Sequence, residues 1–131
     1  MVVDTSVLLQ ILLREDGADA AVATIDRSAE PLLAAPSLFE TEIVFGNRVG
    51  SGLGNVAELV ARLKLTVKPF TAEHSLEAKL AYARFGKGRE HPAQLNFGDC
   101  ITYALAKVEG RPVAFKGSDF NLTDIDTLKL G

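Results

Sequence analysis

Tryptophan is absent from this 131-residue sequence, and with two tyrosines and seven phenylalanines few large aromatic side chains are available for a core. The single cysteine excludes an internal disulfide and favours a reducing compartment, so we expect a cytoplasmic protein. Charged residues soon interrupt the first apolar stretch and no positive segment precedes it, so we expect neither a secretory signal nor a membrane span. The length suggests one compact domain over residues 1–131.

An excess of basic residues is also lacking, and the formal net charge is −3 at pH 7. Domains that bind nucleic acid are usually basic on at least one face, so the total charge counts mildly against such a role. However, a site built from several carboxylates would itself lower the total, and a bound divalent cation would reverse the local field. The net charge therefore does not exclude a metal-dependent enzyme with an anionic substrate.

Short apolar strands alternate with helical segments along the whole chain. Strands are predicted at "MVVD", "PLLAA", "LTVKPF", "PVAF" and "IDTLKL", and amphipathic or capped helical segments lie between them. Such alternation indicates an α/β domain with a central, mostly parallel sheet of about four to five strands and helices on both faces. In folds of this class, ligands bind outside the carboxyl ends of the strands.

Several acidic residues fall where that edge of the sheet is expected. Asp4 ends the first predicted strand, and Asp119 follows the strand that ends at Phe115. Glu40 and Asp99 lie near the starts of two predicted helices, and helix starts gather at the same edge whenever a helix follows a strand. Four carboxylates that are distant in sequence are therefore expected to converge on one small space.

A cluster of carboxylates constrains its own chemistry. Like charges a few ångströms apart must share protons or bind a cation. Ligand sets made only of oxygen favour hard ions such as Mg²⁺ or Mn²⁺ over zinc. Such ions activate water and neutralise the charge that develops on a phosphate, so the cluster suits phosphodiester hydrolysis.

Each of these acids also has a purely structural interpretation. Asp4 could cap the first helix, as could the hydroxyls of Thr5 and Ser6, and Asp119 could be a turn former. In "NFGDC", Asn96 is a good N-cap and Asp99 occupies the third helical position, which gives a capping box. Taken singly, each acid is more often structural than catalytic.

Glu40 and Glu42 compete for one position in the cluster. Two residues on a helix are separated by about 200° of rotation, so both cannot face one ion. Apolar residues lie on both sides of the pair, and periodicity alone does not choose between them.

Four stretches together resemble the PIN-domain family, and most closely its VapC-type toxin ribonucleases. They are "VVDTSVLL", "SLFETEIV", "GKGREHPAQLNFGDCITYALAK" and "VAFKGSDFNLTDI", in this order from Val2 to Ile125. The resemblance implies a single PIN-like domain, and its L-x-E pattern selects Glu40 over Glu42. It implies that four acids are both catalytic and metal-binding, namely Asp4, Glu40, Asp99 and Asp119. Ser6 and Asn96 match supporting positions of the family.

The same resemblance implies a function. It is that of a Mg²⁺- or Mn²⁺-dependent endoribonuclease, the toxin component of a VapBC-type toxin–antitoxin system that hydrolyses RNA phosphodiester bonds. The implied partners are the RNA substrate, a cognate VapB-like antitoxin whose tail blocks the active site, and a second copy of the chain in a homodimer. Two alternatives are a catalytically silent PIN-like module that binds RNA or protein and, less well supported, a phosphoryl-transfer domain that uses Asp4 as an aspartyl-phosphate acceptor.

The positions of further residues suggest what roles they have. Basic residues near the expected site are candidate phosphate or RNA contacts, namely Arg14, Lys87, Arg89 and Lys116. His91 belongs to the same basic loop, whereas His74 is expected at the surface. Cys100 lies on an apolar helix and is interpreted as a buried small hydrophobic residue rather than a nucleophile.

Overall fold

The structure is a computed structural model that describes residues 1–50, 53–128 and 130. Its strands are β1 (Val2–Val3), β2 (Leu32–Ala34), β3 (Thr66–Lys68), β4 (Val113–Ala114) and β5 (Thr127–Leu128). Its helices are α1 (Thr5–Leu12), α2 (Ala18–Asp26), α3 (Ala35–Val49), α4 (Leu53–Arg62), α5 (Ala72–Phe85) and α6 (Phe97–Glu109), and a 3₁₀ turn covers Asp119–Leu122. The last strand is shorter than predicted, and Lys129 of that prediction lies outside the described residues.

The strands form one sheet in the order β3-β2-β1-β4-β5, and every neighbouring pair is parallel. In the centre of the sheet, Val2 is paired with Leu32 on one side and with Val113 on the other. The predicted α/β fold with a mostly parallel sheet is therefore confirmed. Since β1 lies at the centre, the residue that follows it, Asp4, emerges at the middle of the carboxyl edge.

Consecutive strand residues supply two separate hydrophobic cores, because side chains alternate between the faces of a sheet. Val2 packs in a core with Phe85 of α5 and Leu105 of α6. Val3 packs on the opposite face, in a core that includes Leu8 of α1. Helices therefore cover both faces, as the sequence predicts, and continuous apolar pairs such as Val2–Val3 are what a doubly covered parallel strand requires.

Helix α6 begins and ends at residues that the sequence marks clearly. The Asn96 side chain accepts a hydrogen bond from the Asp99 backbone N–H, and the Asp99 carboxylate accepts one from the Asn96 backbone N–H, so both halves of a capping box are present. The helix ends at Gly110, whose left-handed φ of 65° a residue with a side chain rarely adopts. Between them the helix is mostly buried, so its N-terminus is held firmly at the edge of the sheet.

The prediction that His74 lies at the surface is wrong. The side chain is buried, its ring stacks on Phe70, and its Nδ1 accepts a hydrogen bond of 2.9 Å from the Thr71 backbone N–H. His74 thus takes the position in the α5 capping box that Glu or Gln usually occupies. By contrast, Leu76 and Leu80 of the same helix are about half exposed.

Asp124, in the segment after β4, accepts hydrogen bonds from two side chains of α6. The Tyr103 hydroxyl donates to Asp124 Oδ1 at 2.5 Å, and the Lys107 ammonium donates to Asp124 Oδ2 at 3.0 Å. This contact holds the stretch that carries Asp119 close to the rest of the domain. No helix in the described ranges is long and apolar enough to cross a membrane.

Replacing the cap of α6 should destabilise the fold. We expect Asn96→Ala to lower the free energy of unfolding by about 0.5–2 kcal/mol, because the N-terminal N–H groups of α6 lose their acceptor. Urea denaturation of Asn96→Ala and of Asn47→Ala, an exposed position inside α3, provides the comparison. The Asn47 variant should stay within about 0.5 kcal/mol of the wild type. Equal stability of the two variants would contradict the assignment of Asn96 as a stabilising cap.

Candidate active site

Asp4 is a buried carboxylate at the junction of β1 and α1. It is only 6% exposed, and it caps α1, because its Oδ2 accepts a hydrogen bond of 3.1 Å from the Ser6 backbone N–H. Its Oδ1 accepts a hydrogen bond of 2.6 Å from the Thr102 hydroxyl of α6. Both carboxylate oxygens are therefore oriented by donors, one from the backbone and one from a distant side chain.

The Ser6 hydroxyl connects this junction to the loop that follows β4. It accepts a hydrogen bond of 2.9 Å from the Lys116 backbone N–H, so the loop starts directly beside α1. Three residues later, Asp119 begins the 3₁₀ turn with an exposed side chain. The hydrogen bond to Ser6 thus helps to position Asp119 relative to Asp4.

Glu40, rather than Glu42, faces the other acids. Its Oε1 accepts a hydrogen bond of 2.9 Å from the Thr5 hydroxyl, which joins the second turn of α3 to the first turn of α1. A Cβ atom built on Gly98 would lie 2.7 Å from both Glu40 carboxylate oxygens, so the glutamate sits against the start of α6. Helical periodicity did not indicate which of the two glutamates faces the other acids, and in the structure it is Glu40.

Of the residues that could cap α1, Thr5 does not use its hydroxyl for this purpose. Its contacts lead away from its own helix, to the Ser37 carbonyl at 3.2 Å and to Glu40 at 2.9 Å. Asp4 caps α1 instead, because its Oδ2 accepts a hydrogen bond from the Ser6 backbone N–H.

Asp99 has a dual position, in the capping box of α6 and among the other acids. Its Oδ2 accepts a hydrogen bond of 3.0 Å from the Asn96 backbone N–H. Burial raises the pKa of Asp99 from its ordinary 3.8 to about 6, and the negative charges of Asp4, Asp119 and Glu40 add to that rise. The electrostatic influence of all three acids on Asp99 shows that the structure brings the four sequence-predicted carboxylates into one neighbourhood.

The four carboxylates nevertheless do not form a closed ligand set. Within residues 1–50, 53–128 and 130, no three acidic, histidine or cysteine side chains are grouped closely enough to hold one ion between them. The arrangement is thus a neighbourhood of acids with a repulsion that a cation would relieve.

Sequence reasoning missed the contacts of two threonines, Thr5 and Thr102. Each sends its hydroxyl to an acid on another element, Glu40 and Asp4 respectively. A weak signal was present for Thr102, which lies three residues after Asp99 and therefore on the same face of α6. A polar side chain on that otherwise apolar face needs a partner, and the acid cluster supplies one.

The candidate phosphate contacts occupy different surroundings. Lys116 forms an ion pair of 2.7 Å with Glu15, and the Arg89 guanidinium lies 5.7 Å from the centre of the Tyr82 ring. Lys87 lines a groove together with Asn96, next to the start of α6. Arg14 lies beyond the end of α1, in a depression that it shares with Arg62 of α4. Their contact with RNA stays a prediction for all four.

The remaining candidate groups are engaged in packing. His91 accepts a hydrogen bond of 3.1 Å from the Ala93 backbone N–H, and its ring meets the Phe85 ring edge-on. Burial, together with the nearby charge of Asp99, raises the pKa of the Cys100 thiol to about 11. A protonated, buried thiol is a poor nucleophile, which agrees with the interpretation of Cys100 as a core residue.

A five-stranded parallel sheet with acids from β1, α3, α6 and the segment after β4 at its carboxyl edge defines a PIN-like α/β domain. The PIN domain family model matches residues 1–126. The chain therefore belongs to the PIN-domain family, and its curated relatives are VapC proteins.

Two relatives illustrate the similarity. "Ribonuclease VapC" of Mycolicibacterium smegmatis is 41% identical over 126 residues, covering 95% of this chain and 97% of the relative. "Ribonuclease VapC30" of Mycobacterium tuberculosis is 39% identical over 131 residues, covering 99% of each chain.

Two solved structures share the fold. The crystal structure of Mycobacterium tuberculosis VapC20, a Sarcin-Ricin loop cleaving toxin, matches with a TM-score of 0.76 at 20% identity and covers 98% of both chains. A toxin-antitoxin complex from Klebsiella pneumoniae matches with a TM-score of 0.69 at 12% identity, covering 91% of this chain and 88% of that one.

Gly98 should be required for the position of Glu40 rather than for stability. A Cβ at this position would collide with both Glu40 oxygens, and the long glutamate side chain can swing away at little cost. We therefore expect Gly98→Ala to keep or raise the melting temperature, because alanine favours a helix over glycine by about 0.8–1.0 kcal/mol. RNA cleavage should fall by about tenfold or more as the displaced carboxylate leaves the site. An equally active Gly98→Ala protein would show that the position of Glu40 is not critical.

The raised pKa of Asp99 should appear in the pH dependence of stability. Between about pH 4 and 6 the folded chain keeps a proton on Asp99 that the unfolded chain has released, so stability falls as the pH rises through this window. Asp99→Asn removes that loss. The melting temperature of the variant minus that of the wild type, measured without divalent ions, should therefore increase from about pH 4 to 6 and level off above it. A difference that does not vary with pH would contradict the raised pKa.

Proposed function

We propose that the chain is a VapC-type toxin endoribonuclease that hydrolyses RNA phosphodiester bonds at the acid neighbourhood around the start of α6. One observation carries the proposal. Carboxylates from four separate parts of the chain lie near one another at the carboxyl edge of the sheet, and the charges of three of them add to the rise that burial causes in the pKa of Asp99, to about 6. The names of the VapC relatives, which cover nearly the whole chain, support the same reaction.

We assign catalytic and metal-binding roles to Asp4, Glu40, Asp99 and Asp119, and supporting roles to Ser6 and Asn96. The donor set fits a hard cation, since it consists of oxygens only and its negative charges already repel one another. The separation of the acids is compatible with Mg²⁺, which usually keeps several waters and binds one or two carboxylates directly. We therefore propose Mg²⁺ or Mn²⁺ as the cofactor.

The bound ion would supply an activated water and would offset charge on the phosphate and the leaving oxygen. The residues of the chain provide the framework. Asp4 is held by Ser6 and Thr102, Glu40 by Thr5, and Asp99 by the capping box with Asn96. Exposed Asp119 lies at the open side, where a long RNA can approach.

The aspartyl-phosphate alternative is weakened by the sequence that follows Asp4. Aspartate-nucleophile phosphatases carry a second aspartate two residues after the first, whereas this chain has Ser6 at that position. The alternative of a silent binding module has no comparable support, because such a module gains nothing from four mutually repelling acids. It remains a possible outcome of the cleavage assay.

The proposed partners are RNA, a VapB-like antitoxin and a second copy of the chain. The similarity to VapC proteins, and to the fold of a chain in a toxin-antitoxin complex, supports the antitoxin. The homodimer stays a prediction; apolar side chains that a partner could cover include Phe39, Ile43 and Phe97, which are 64%, 46% and 80% exposed. Since the substrate is cellular RNA, the proposal places the protein in the cytoplasm.

Glu40 and Glu42 offer a matched test of the proposed reaction. A mixture of structured RNAs is incubated with the wild type, Glu40→Gln and Glu42→Gln, each with Mn²⁺ and with EDTA. We expect Glu40→Gln to cleave at least about a hundredfold more slowly, because losing a group that holds the ion forfeits several kcal/mol of transition-state stabilisation. Glu42→Gln should keep most of the activity, and EDTA should abolish cleavage by every chain.

Each other outcome has a distinct meaning. Equal activity of Glu40→Gln and the wild type would remove Glu40 from the site. Cleavage that persists in EDTA would refute metal dependence. A wild-type chain that binds RNA or antitoxin but cleaves nothing with Mn²⁺ or Mg²⁺ would favour the silent module.

A further inference from the structure

Thr102 is a buried polar residue in the middle of α6 whose hydroxyl leaves its own helix. The residue is 0% exposed, and its Oγ1 donates to Asp4 Oδ1 at 2.6 Å. Both partners are buried, and one of them carries a carboxylate, which makes the hydrogen bond shorter and stronger than one between neutral groups. A contact of this kind between distant parts of the chain restricts both side chains.

Two other threonines inside helices, Thr24 and Thr41, use their hydroxyls differently. Thr24 donates to the Ala20 carbonyl at 2.9 Å, and Thr41 donates to the Ser37 carbonyl at 2.7 Å, each one turn back in its own helix. That is the usual local partner of a threonine inside a helix. Thr102 instead gives its single proton to an acid of the candidate active site, so its role is not explained by the helix that contains it.

The consequence for Asp4 follows from its two donors. The Ser6 backbone N–H fixes Oδ2, and the Thr102 hydroxyl fixes Oδ1, so rotation of the carboxylate about its own axis is restrained from both sides. Each oxygen keeps a further lone pair for another partner. Of the two donors, only Thr102 is a side chain, and it lies on the helix that also carries Asp99.

We propose that Thr102 is a positioning residue, which orients Asp4 for the cation and couples it to the start of α6. The inference rests on the proposed function, because it concerns the same site. Thr102 follows Asp99 by one helical turn, so the two residues share a face of α6. One rigid helix thereby presents one acid of the site and fixes the orientation of a second.

Thr5 and Glu40 show the same arrangement on another pair of elements. Thr5 lies on α1 directly after Asp4 and donates to Glu40 of α3. The Ser37 carbonyl, its other acceptor, also accepts from Thr41 at 2.7 Å and does not depend on Thr5. The recurrence indicates that hydroxyls from neighbouring elements, rather than basic side chains, hold Asp4 and the partly buried Glu40 in place.

Thr102→Val tests the proposal, because valine keeps the branched shape of threonine and lacks only the hydroxyl. Thr102→Ser restores the hydroxyl, and Thr41→Val is the matched control, since Thr41 is equally buried and bonds only to its own helix. Mn²⁺ affinity is measured without RNA by calorimetric titration, and cleavage is measured over a range of Mn²⁺ concentrations. Melting temperatures of all variants are recorded without metal.

We expect Thr102→Val to bind Mn²⁺ about 10–100-fold more weakly, the usual effect of removing a group that orients a metal ligand. Cleavage should recover most of its rate at saturating Mn²⁺, with KM for RNA unchanged. Thr102→Ser and Thr41→Val should keep the wild-type Mn²⁺ affinity. If Thr102→Val is too unstable to purify, Thr102→Ala removes the same hydroxyl with a better helix former.

Unchanged Mn²⁺ affinity in Thr102→Val, with or without a lower melting temperature, would overturn the inference and leave Thr102 as a core residue. Asp4→Asn separates this failure from a failure of the proposed function. If Asp4→Asn binds Mn²⁺ and cleaves like the wild type, the proposed site itself is wrong. If Asp4→Asn is impaired and adding Thr102→Val weakens Mn²⁺ binding no further, Thr102 acts through Asp4, as proposed.

Discussion

Repulsion between carboxylates opposes folding around this site, and the surrounding structure has to offset it. Asp99 is half-buried at the start of α6, and the charges of Asp4, Asp119 and Glu40 all act on it. Nothing in the hydrophobic cores favours such a grouping, since burial of a charge without a partner is costly. The fold tolerates it because the acids are attached to rigid elements on both sides of a central strand, and because hydrogen-bond donors satisfy the most buried of them.

The donors are neutral, and this choice has a functional consequence. A lysine or arginine beside Asp4 would relieve the repulsion, but it would also compete with a cation for the same oxygens. The hydroxyls of Thr102 and Thr5 and the backbone N–H groups of Ser6 and Asn96 orient the acids and leave their negative charge in place. Lys116, whose backbone N–H donates to Ser6, has its ammonium paired with Glu15. A site held in this way keeps the negative charge that the proposed divalent cation would require.

The start of α6 combines a structural and a chemical role in one turn. Asn96 and Asp99 form a complete capping box, so Asp99 is partly a helix-stabilising residue, as its local sequence suggests. Burial raises the pKa of the same carboxylate to about 6, and the other acids are close enough to add to that rise. Gly98, between them, leaves the space that the Glu40 carboxylate occupies. The capping interpretation of "NFGDC" is therefore confirmed. The functional interpretation stays a prediction with which the capping box is compatible, because the box engages Oδ2 of Asp99 without removing its charge.

The sequence by itself determined the elements and the general location of the site. Apolar periodicity, the caps at Asn96 and Thr71 and the alternation of strands with helices are local signals, and they predicted the parallel α/β fold correctly. Three features were decided only by the tertiary structure: His74 is buried, Thr102 bonds to Asp4, and Glu40 faces the other acids. Local periodicity could not choose between Glu40 and Glu42, and only the family resemblance favoured Glu40. The physical reason is distance along the chain. Thr102 and Asp4 are 98 positions apart, so their hydrogen bond depends on how α6 packs against the central strand, which no local pattern encodes.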